Sequence, residues 1–210
     1  PPKSLIGVPW RFAFAMQDAG WLLRQDIIWH KPAPMPESVR DRCTRAHEYI
    51  FHFVKQPRYW YDAAAVSEPT SEVTFARALR GVGTDHKNID GAPGQTPHSM
   101  AQPRNHGDGY STNPLRNRRS VWTVNTAGYA GAHFATFPEK LVEPMVLAGC
   151  PEGGVTLDPF MGAGTVALVA KRLNRRYVGC DLNPAYVEMA RQRVDGISYS
   201  LWSLAEGGAV

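Results

Sequence analysis

The stretch "LDPFMGAGTVALVAKRLNRRYVGCDLNPAYVEMA", residues 157–190, sets a glycine-rich turn between two apolar segments. "GVTLDPF" predicts a strand, "TVALVAKRLN" a helix, and "RYVGCD" a second strand that ends in an aspartate. The order of a nucleotide-binding βαβ unit is the same: strand, glycine turn, helix, strand and acidic residue. The alternative is a plain turn and an exposed acid in an ordinary α/β protein. Because all the elements occur in the right order, the sequence favours the nucleotide.

Small residues occupy the positions where such a unit needs them. Gly162 and Gly164 permit a close approach of the backbone, and Ala167 takes the third small position, where the helix packs on the strand. Asp181 follows Gly162 by 19 residues. A carboxylate at this place can accept hydrogen bonds from both ribose hydroxyls, so we expect a nucleoside to lie across the turn.

Asp158 indicates which nucleoside this is. It directly precedes the glycine turn, where a dinucleotide would place its doubly negative pyrophosphate, so a carboxylate here repels such a ligand. S-adenosylmethionine has no phosphate and carries an ammonium and a sulfonium beside its ribose. The sequence therefore predicts S-adenosylmethionine as the cofactor.

Length and composition describe a globular domain. The chain has 210 residues, of which 43% are hydrophobic and 20% charged, and no apolar run approaches the length of a membrane span of about 20 residues. Its three cysteines lack metal-ligand spacing, so we expect reduced thiols in a cytoplasmic protein, with Cys150 and Cys180 in the core. The seven histidines form no pair at metal spacing either, and no metal site is predicted. The net charge of +4 permits nucleic acid as a partner without requiring it.

The whole chain divides into three parts. Residues 1–62 predict a helix that ends near Gly20 and strands over 26–30 and 47–55, and residues 63–125 are dense in Gly, Pro, Asn, Asp and Ser. Residues 126–210 hold a helix over 137–150 and then the βαβ unit, followed by a last helix capped by Asn183. A doubly wound sheet needs more strands than these last two. The others must therefore precede the loop, which implies a circularly permuted order, and the strands at 26–30 and 47–55 are the candidates.

Two motifs, "DPFMGAGT" and "YVGCDLNP", resemble those of the DNA amino-methyltransferases, which methylate N6 of adenine or N4 of cytosine. "HFATFPEKLVEPMVLAGC" just before the glycine loop resembles the helix beside the methionine end of the cofactor in the permuted, beta-type members. The segments over residues 2–42 and 47–55 are also similar to that family, and residues 63–125 match least. The resemblance implies a three-layer, Rossmann-like methyltransferase sheet with an inserted target-recognition region.

The resemblance also assigns roles to residues. It implies that Asp158 and Phe160 flank the cofactor, that Asp181 holds the ribose and that Leu182 and Asn183 border the adenine. The other expected cofactor residues lie in the glycine loop or before the preceding helix: Gly162, Gly164, Thr165, Thr136, Phe137 and Pro138. Structural roles are the alternative for several, such as core for Phe160, helix cap for Thr165 and helix start for Pro138.

The catalytic motif of that family is not found in the 210 residues. The resemblance implies Asp, Asn or Ser followed by Pro-Pro and an aromatic residue, which holds the target amine and stacks on a flipped base. The only Pro-Pro is Pro1-Pro2, and Lys3 follows it. We therefore expect the catalytic loop to precede residue 1 or to lie on a companion chain, and we leave the catalytic residues unassigned.

The expected substrate is double-stranded DNA, within a modification or restriction-modification system. Arginines of the least matched region are the candidate contacts to phosphate or guanine: Arg104, Arg116, Arg118 and Arg119. A solvated loop with incidental charge is the alternative. Two other functions stay open from the residues: a nicotinamide-dependent oxidoreductase, which Asp158 disfavours, and a binding protein without catalysis.

Overall fold

The computed structural model describes residues 2–74, 76, 114–126 and 136–196. The chain forms two compact units, one of Pro1–Val66 with Arg119–Val210 and one of Ser67–Arg118. The predicted division into residues 1–62, 63–125 and 126–210 stays a prediction. Most of the predicted recognition region, residues 77–113, lies outside the described residues.

A three-stranded sheet opens the first unit. Strands β1, Leu22–His30, and β2, His47–Val54, pair antiparallel, and β5, Val121–Thr123, pairs parallel with β1 on its other side. The two predicted strands are confirmed, but among the described residues they form a sheet separate from the predicted βαβ strands, so their place in one doubly wound sheet stays a prediction. β1 begins four residues before the predicted start at Asp26, because its pairing with β2 continues through an irregularity near Arg24 that the sequence does not show.

Each face of this sheet is covered by a helix. On one face, helix α1, Val8–Asp18, sets the ring of Trp10 edge-on to Tyr49 and Phe51, with ring centres 5.3 and 5.2 Å apart. On the other face, Ile27, Trp29 and Ile50 form a core cluster with residues of the next helix. Trp29 is 5% exposed and donates from its indole nitrogen to the Val124 carbonyl at 2.8 Å, as a core tryptophan does.

The predicted βαβ unit is confirmed. Strands β6, Val155–Asp158, and β7, Arg176–Gly179, pair in parallel, and helix α3, Thr165–Arg172, connects them. Helix α4, Pro184–Asp195, follows. Asn183 caps it as predicted, because its side chain accepts a hydrogen bond of 3.0 Å from the Ala185 amide.

Helix α2, Glu139–Gly149, joins the two parts of the first unit. Leu141 and Met145, one turn apart, pack into the cluster of β1 and β5. Val142 and Val146, shifted by one residue, pack against α3. Two apolar stripes on one helix therefore hold the three-stranded sheet and the βαβ unit together.

The second unit contains a short antiparallel ladder of β3, Glu68–Pro69, and β4, Leu115–Arg116. No helix among the described residues is both long and apolar enough to cross a membrane.

The expectation for the cysteines is half wrong. Cys150 is buried at the end of α2, but Cys180 is exposed, because β7 ends at Gly179 and the chain leaves the sheet there.

The joining role of α2 predicts a large effect of one side chain. Leu141 is 4% exposed, and Leu141→Ala leaves a cavity between α2 and the three-stranded sheet. We expect a loss of about 2–5 kcal/mol in the free energy of unfolding, measured by urea titration. Glu143→Ala, at an exposed position of the same helix, is the control and should change it by less than about 0.5 kcal/mol. Equal losses in the two variants would contradict this role.

Candidate functional site

The glycine turn is fastened to the ends of both parallel strands. The Cys180 amide donates to the Asp158 carbonyl at 3.0 Å, and the Met161 amide donates to the Cys180 carbonyl at 2.8 Å. Gly162 and Gly164 then take φ angles of +49° and +75°, which a residue with a side chain rarely adopts. The turn follows the carboxyl ends of the strands, where ligands of open α/β sheets bind.

Asp181 binds the turn from the neighbouring strand end. The Gly162 amide donates to its Oδ2 at 2.9 Å, and the Asn183 amide donates to its Oδ1 at 2.8 Å. This carboxylate therefore fixes both the glycine turn and the start of α4, a role that sequence reasoning missed. Since each carboxylate oxygen has a second lone pair, the expected ribose contact remains compatible with these bonds and stays a prediction.

Asp158 has one satisfied and one unsatisfied oxygen. Its Oδ1 accepts the Phe160 amide at 3.0 Å, which shapes the chain as it leaves β6. Its Oδ2 is buried and has no hydrogen-bond partner within the described part of the chain. A buried carboxylate oxygen without a donor costs free energy, which a cationic or hydrogen-bonding ligand would recover.

Two large apolar side chains stand exposed beside these carboxylates. Phe160, two residues beyond β6, is 87% exposed, and Leu182, three residues beyond β7, is fully exposed. Because β6 and β7 are parallel neighbours, both residues leave the same end of the sheet. They are available to cover a flat apolar group, and Phe160 does not belong to the core.

The other predicted cofactor segment comes directly before α2. Thr136 is half-buried, Phe137 is 38% exposed, and Pro138 is buried at the N-cap of the helix, where its carbonyl accepts the Leu141 amide at 3.0 Å. Pro138 thus has the structural role of a helix start, and its expected contact with the cofactor remains a prediction, as do those of Thr136 and Phe137.

Arg193 on α4 connects this segment to the glycine turn. Its Nη2 donates to Glu139 Oε1 at 2.9 Å, and its Nη1 donates to the Ala163 carbonyl and to Thr165 Oγ1, both at 3.1 Å. Two predicted site segments that are far apart in sequence are therefore linked through one side chain. Thr165 itself is 5% exposed and points its hydroxyl at Arg193. Sequence reasoning missed Arg193, because a basic residue in the last turn of a helix indicates only a favourable dipole interaction.

The candidate DNA contacts are placed differently. Arg116 is paired with Glu68, 3.0 Å from the carboxylate, within the β3–β4 ladder, and Arg118 is half-buried. Arg119 is exposed, and its carbonyl accepts the Trp122 indole N–H at 2.8 Å. Arg104 lies outside the described residues.

No cluster of three or more metal-ligating side chains occurs in the ranges that the structure describes.

Comparison with known proteins identifies relatives over nearly the whole chain. A family model for N6/N4 methyltransferases, described as DNA methylase, matches residues 3–192. Type II methyltransferase M.XycI of Xanthomonas campestris pv. cyanopsidis is 45% identical over 195 residues, which cover 93% of this chain and 52% of that protein. Type II methyltransferase M.SmaI of Serratia marcescens is 42% identical over 193 residues, 92% of this chain and 53% of that protein. The chain thus spans about half the length of these curated relatives.

Solved structures share the fold at low sequence identity. The PvuII DNA methyltransferase (cytosine-N4-specific) covers 92% of this chain and 62% of its own, with a TM-score of 0.60 and 18% identity. The M1.HpyAVI–SAM complex covers 90% of this chain and 71% of its own, with a TM-score of 0.54 and 17% identity. The predicted fold class, a Rossmann-like methyltransferase fold, is confirmed by these similarities.

Gly164 leaves little room for a side chain in the turn. At φ +75°, an added Cβ lies 2.8 Å from the Ala190 Cβ of α4. We expect Gly164→Ala to lower the free energy of unfolding by about 1–3 kcal/mol, measured by urea titration. The matched control is Gly149→Ala, at the end of α2, where an added Cβ meets no atom within 4 Å. Equal stability of the two variants would refute the proposed packing of the turn on α4.

Proposed function

Because the chain belongs to the N6/N4 DNA methylase family, we propose that it is the cofactor-binding part of a DNA amino-methyltransferase. The enzyme transfers the methyl group of S-adenosylmethionine to the exocyclic amine of adenine (N6) or cytosine (N4) in double-stranded DNA. The observation that carries this proposal is the unsatisfied, buried Oδ2 of Asp158 beside the glycine turn. This carboxylate oxygen favours a nucleoside with a cationic tail and repels one that carries phosphates.

The residues of the turn match the parts of S-adenosylmethionine. Asp158 faces positive charge, which the ammonium and sulfonium supply, and Asp181 accepts from the ribose hydroxyls. Phe160 and Leu182, both exposed, cover the adenine ring, with Asn183 at its border. Gly162, Gly164 and Thr165 give the close approach, and Thr136, Phe137 and Pro138 line the methionine side.

The transfer itself requires orientation of a weak nucleophile. When bound, S-adenosylmethionine supplies an electrophilic methyl group, which the base's amine nitrogen accepts as the carbon–sulfur bond breaks and an amine proton leaves to solvent or a base. The amine is conjugated and poorly nucleophilic, so holding it in line with the methyl group is much of the catalysis. The described residues contribute by holding the cofactor in one place.

The catalytic loop is proposed to lie on a segment outside this chain, either in a longer protein or on a companion chain. One face of the β6–β7 pair supports this proposal, because Val155, Leu157 and Val178 are 50%, 66% and 52% exposed on it. Parallel strands in proteins are normally covered on both faces. A further segment that packs there would bury these side chains and bring its loop to the strand ends.

DNA is the proposed macromolecular partner, in a modification or restriction-modification system of the cytoplasm. Residues 63–125 are the proposed target-recognition region, with Arg104, Arg116, Arg118 and Arg119 as phosphate or base contacts. To contact DNA, Arg116 would either leave its ion pair with Glu68 or keep that pair while its guanidinium faces the DNA. The oxidoreductase alternative has no support, because the reported relatives are methyltransferases.

The cofactor is tested by calorimetric titration of the chain with S-adenosylmethionine, with NAD in parallel. We expect binding of the first alone. Asp158→Asn should weaken it at least about tenfold, because the amide keeps the acceptor for the Phe160 N–H but loses the charge that attracts the cationic tail.

Glu188→Gln is the matched control, since it removes one negative charge from an exposed position of α4. Its dissociation constant should stay within about twofold of wild type, as surface charges contribute little. Binding of NAD, or equal affinity of the wild type and Asp158→Asn, would overturn the role given to Asp158 and with it the cofactor assignment.

A further inference from the structure

We infer that Arg193 is a positioning residue of the cofactor site: it sets the glycine turn and joins it to the segment before α2. The inference rests on the proposed function, since it gives this side chain a task in binding S-adenosylmethionine. Arg193 lies near the end of α4, and the motifs that carry the family resemblance do not include it. Its role follows from the contacts of its guanidinium.

The guanidinium bonds to the turn from behind. Nη1 donates to the carbonyl of Ala163, the residue between the two glycines, and to the hydroxyl of Thr165, the first residue of α3. Ala163 is 3% exposed and Thr165 is 5% exposed, so these bonds lie within the packed side of the turn. They fix the peptide between Ala163 and Gly164 and, with it, the orientation of the turn that the cofactor meets.

The same guanidinium reaches the other half of the site. Nη2 donates to Oε1 of Glu139, the first residue of α2, which directly follows Thr136, Phe137 and Pro138. The side chains of Arg193 and Glu139 are 19% and 34% exposed, so water screens the pair only in part. A change in the glycine turn is thereby transmitted to the segment expected at the methionine end of the cofactor.

A lysine could perform this task only in part. Its ammonium is a single point, whereas the planar guanidinium directs one nitrogen to the turn and the other to Glu139. The chain offers a natural comparison, because the second oxygen of Glu139 pairs with Arg172 Nη1 at 2.5 Å. Arg172 is 52% exposed and bonds to the same carboxylate, and within the described part of the chain it makes no hydrogen bond to the turn. Loss of Arg172 therefore removes one ion pair of Glu139 but leaves the hydrogen bonds from Arg193 to the turn in place.

The test compares Arg193→Gln, Arg193→Lys and Arg172→Gln in two measurements. The first is amide hydrogen exchange of residues 159–166 without any ligand, and the second is the dissociation constant of S-adenosylmethionine. Arg193→Gln should raise the exchange rate of the turn and the dissociation constant about tenfold each, because it removes hydrogen bonds made by a charged group. Arg193→Lys should restore part of each loss. Arg172→Gln should change neither by more than about twofold.

The outcomes separate this inference from the proposed function. If the wild type does not bind S-adenosylmethionine, the cofactor assignment fails, while the exchange measurement still decides the role of Arg193. If Arg193→Gln and Arg172→Gln behave alike in both measurements, the inference is overturned. Should Arg193→Gln fail to fold, Thr165→Val takes its place: it keeps the shape of the buried side chain and removes one acceptor of Arg193, and unchanged exchange of the turn would count against the inference.

Discussion

The packing of helix α2 is the interaction on which the rest of the first unit depends. Among the described residues, the three-stranded sheet and the β6–β7 pair are separate ladders, and no backbone pairing joins them. Side chains must therefore fix their relative position, and α2 does so with Leu141 and Met145 toward one and Val142 and Val146 toward the other. The place of Glu139, and hence of the segment before it, follows from this packing.

Local interactions explain what the sequence could predict. The βαβ unit, the Asn183 cap and the strands near residues 26–30 and 47–55 each depend on neighbours a few positions apart, and such patterns are visible in the residues themselves. The orphaned oxygen of Asp158 also agrees with the charge argument that led to a cationic nucleoside. The type of fold could therefore be predicted from the residues, and the type of ligand stays a proposal.

Contacts between distant residues explain what it could not. Arg193 and Glu139 are 54 positions apart, and nothing in either neighbourhood indicates that they meet. Asp181 was expected to hold the ribose, and the fold also uses its carboxylate to accept hydrogen bonds from two backbone amides. Cys180 looked apolar in sequence, yet it lies where the strand has already ended. Tertiary placement decided each of these, and local pattern carries no information about it.

Three backbone donors of the glycine turn are already engaged within the protein. The amides of Met161, Gly162 and Gly164 donate to the Cys180 carbonyl, to Asp181 and to the Met161 carbonyl. In loops that cradle phosphate, such amides point outward and meet the anion. Here the acceptors that occupy them include a carboxylate from the next strand end, so the turn has its own internal anion. A phosphorylated nucleotide would meet these occupied donors beside the carboxylates of Asp158 and Asp181, so the turn disfavours phosphate before any base is read.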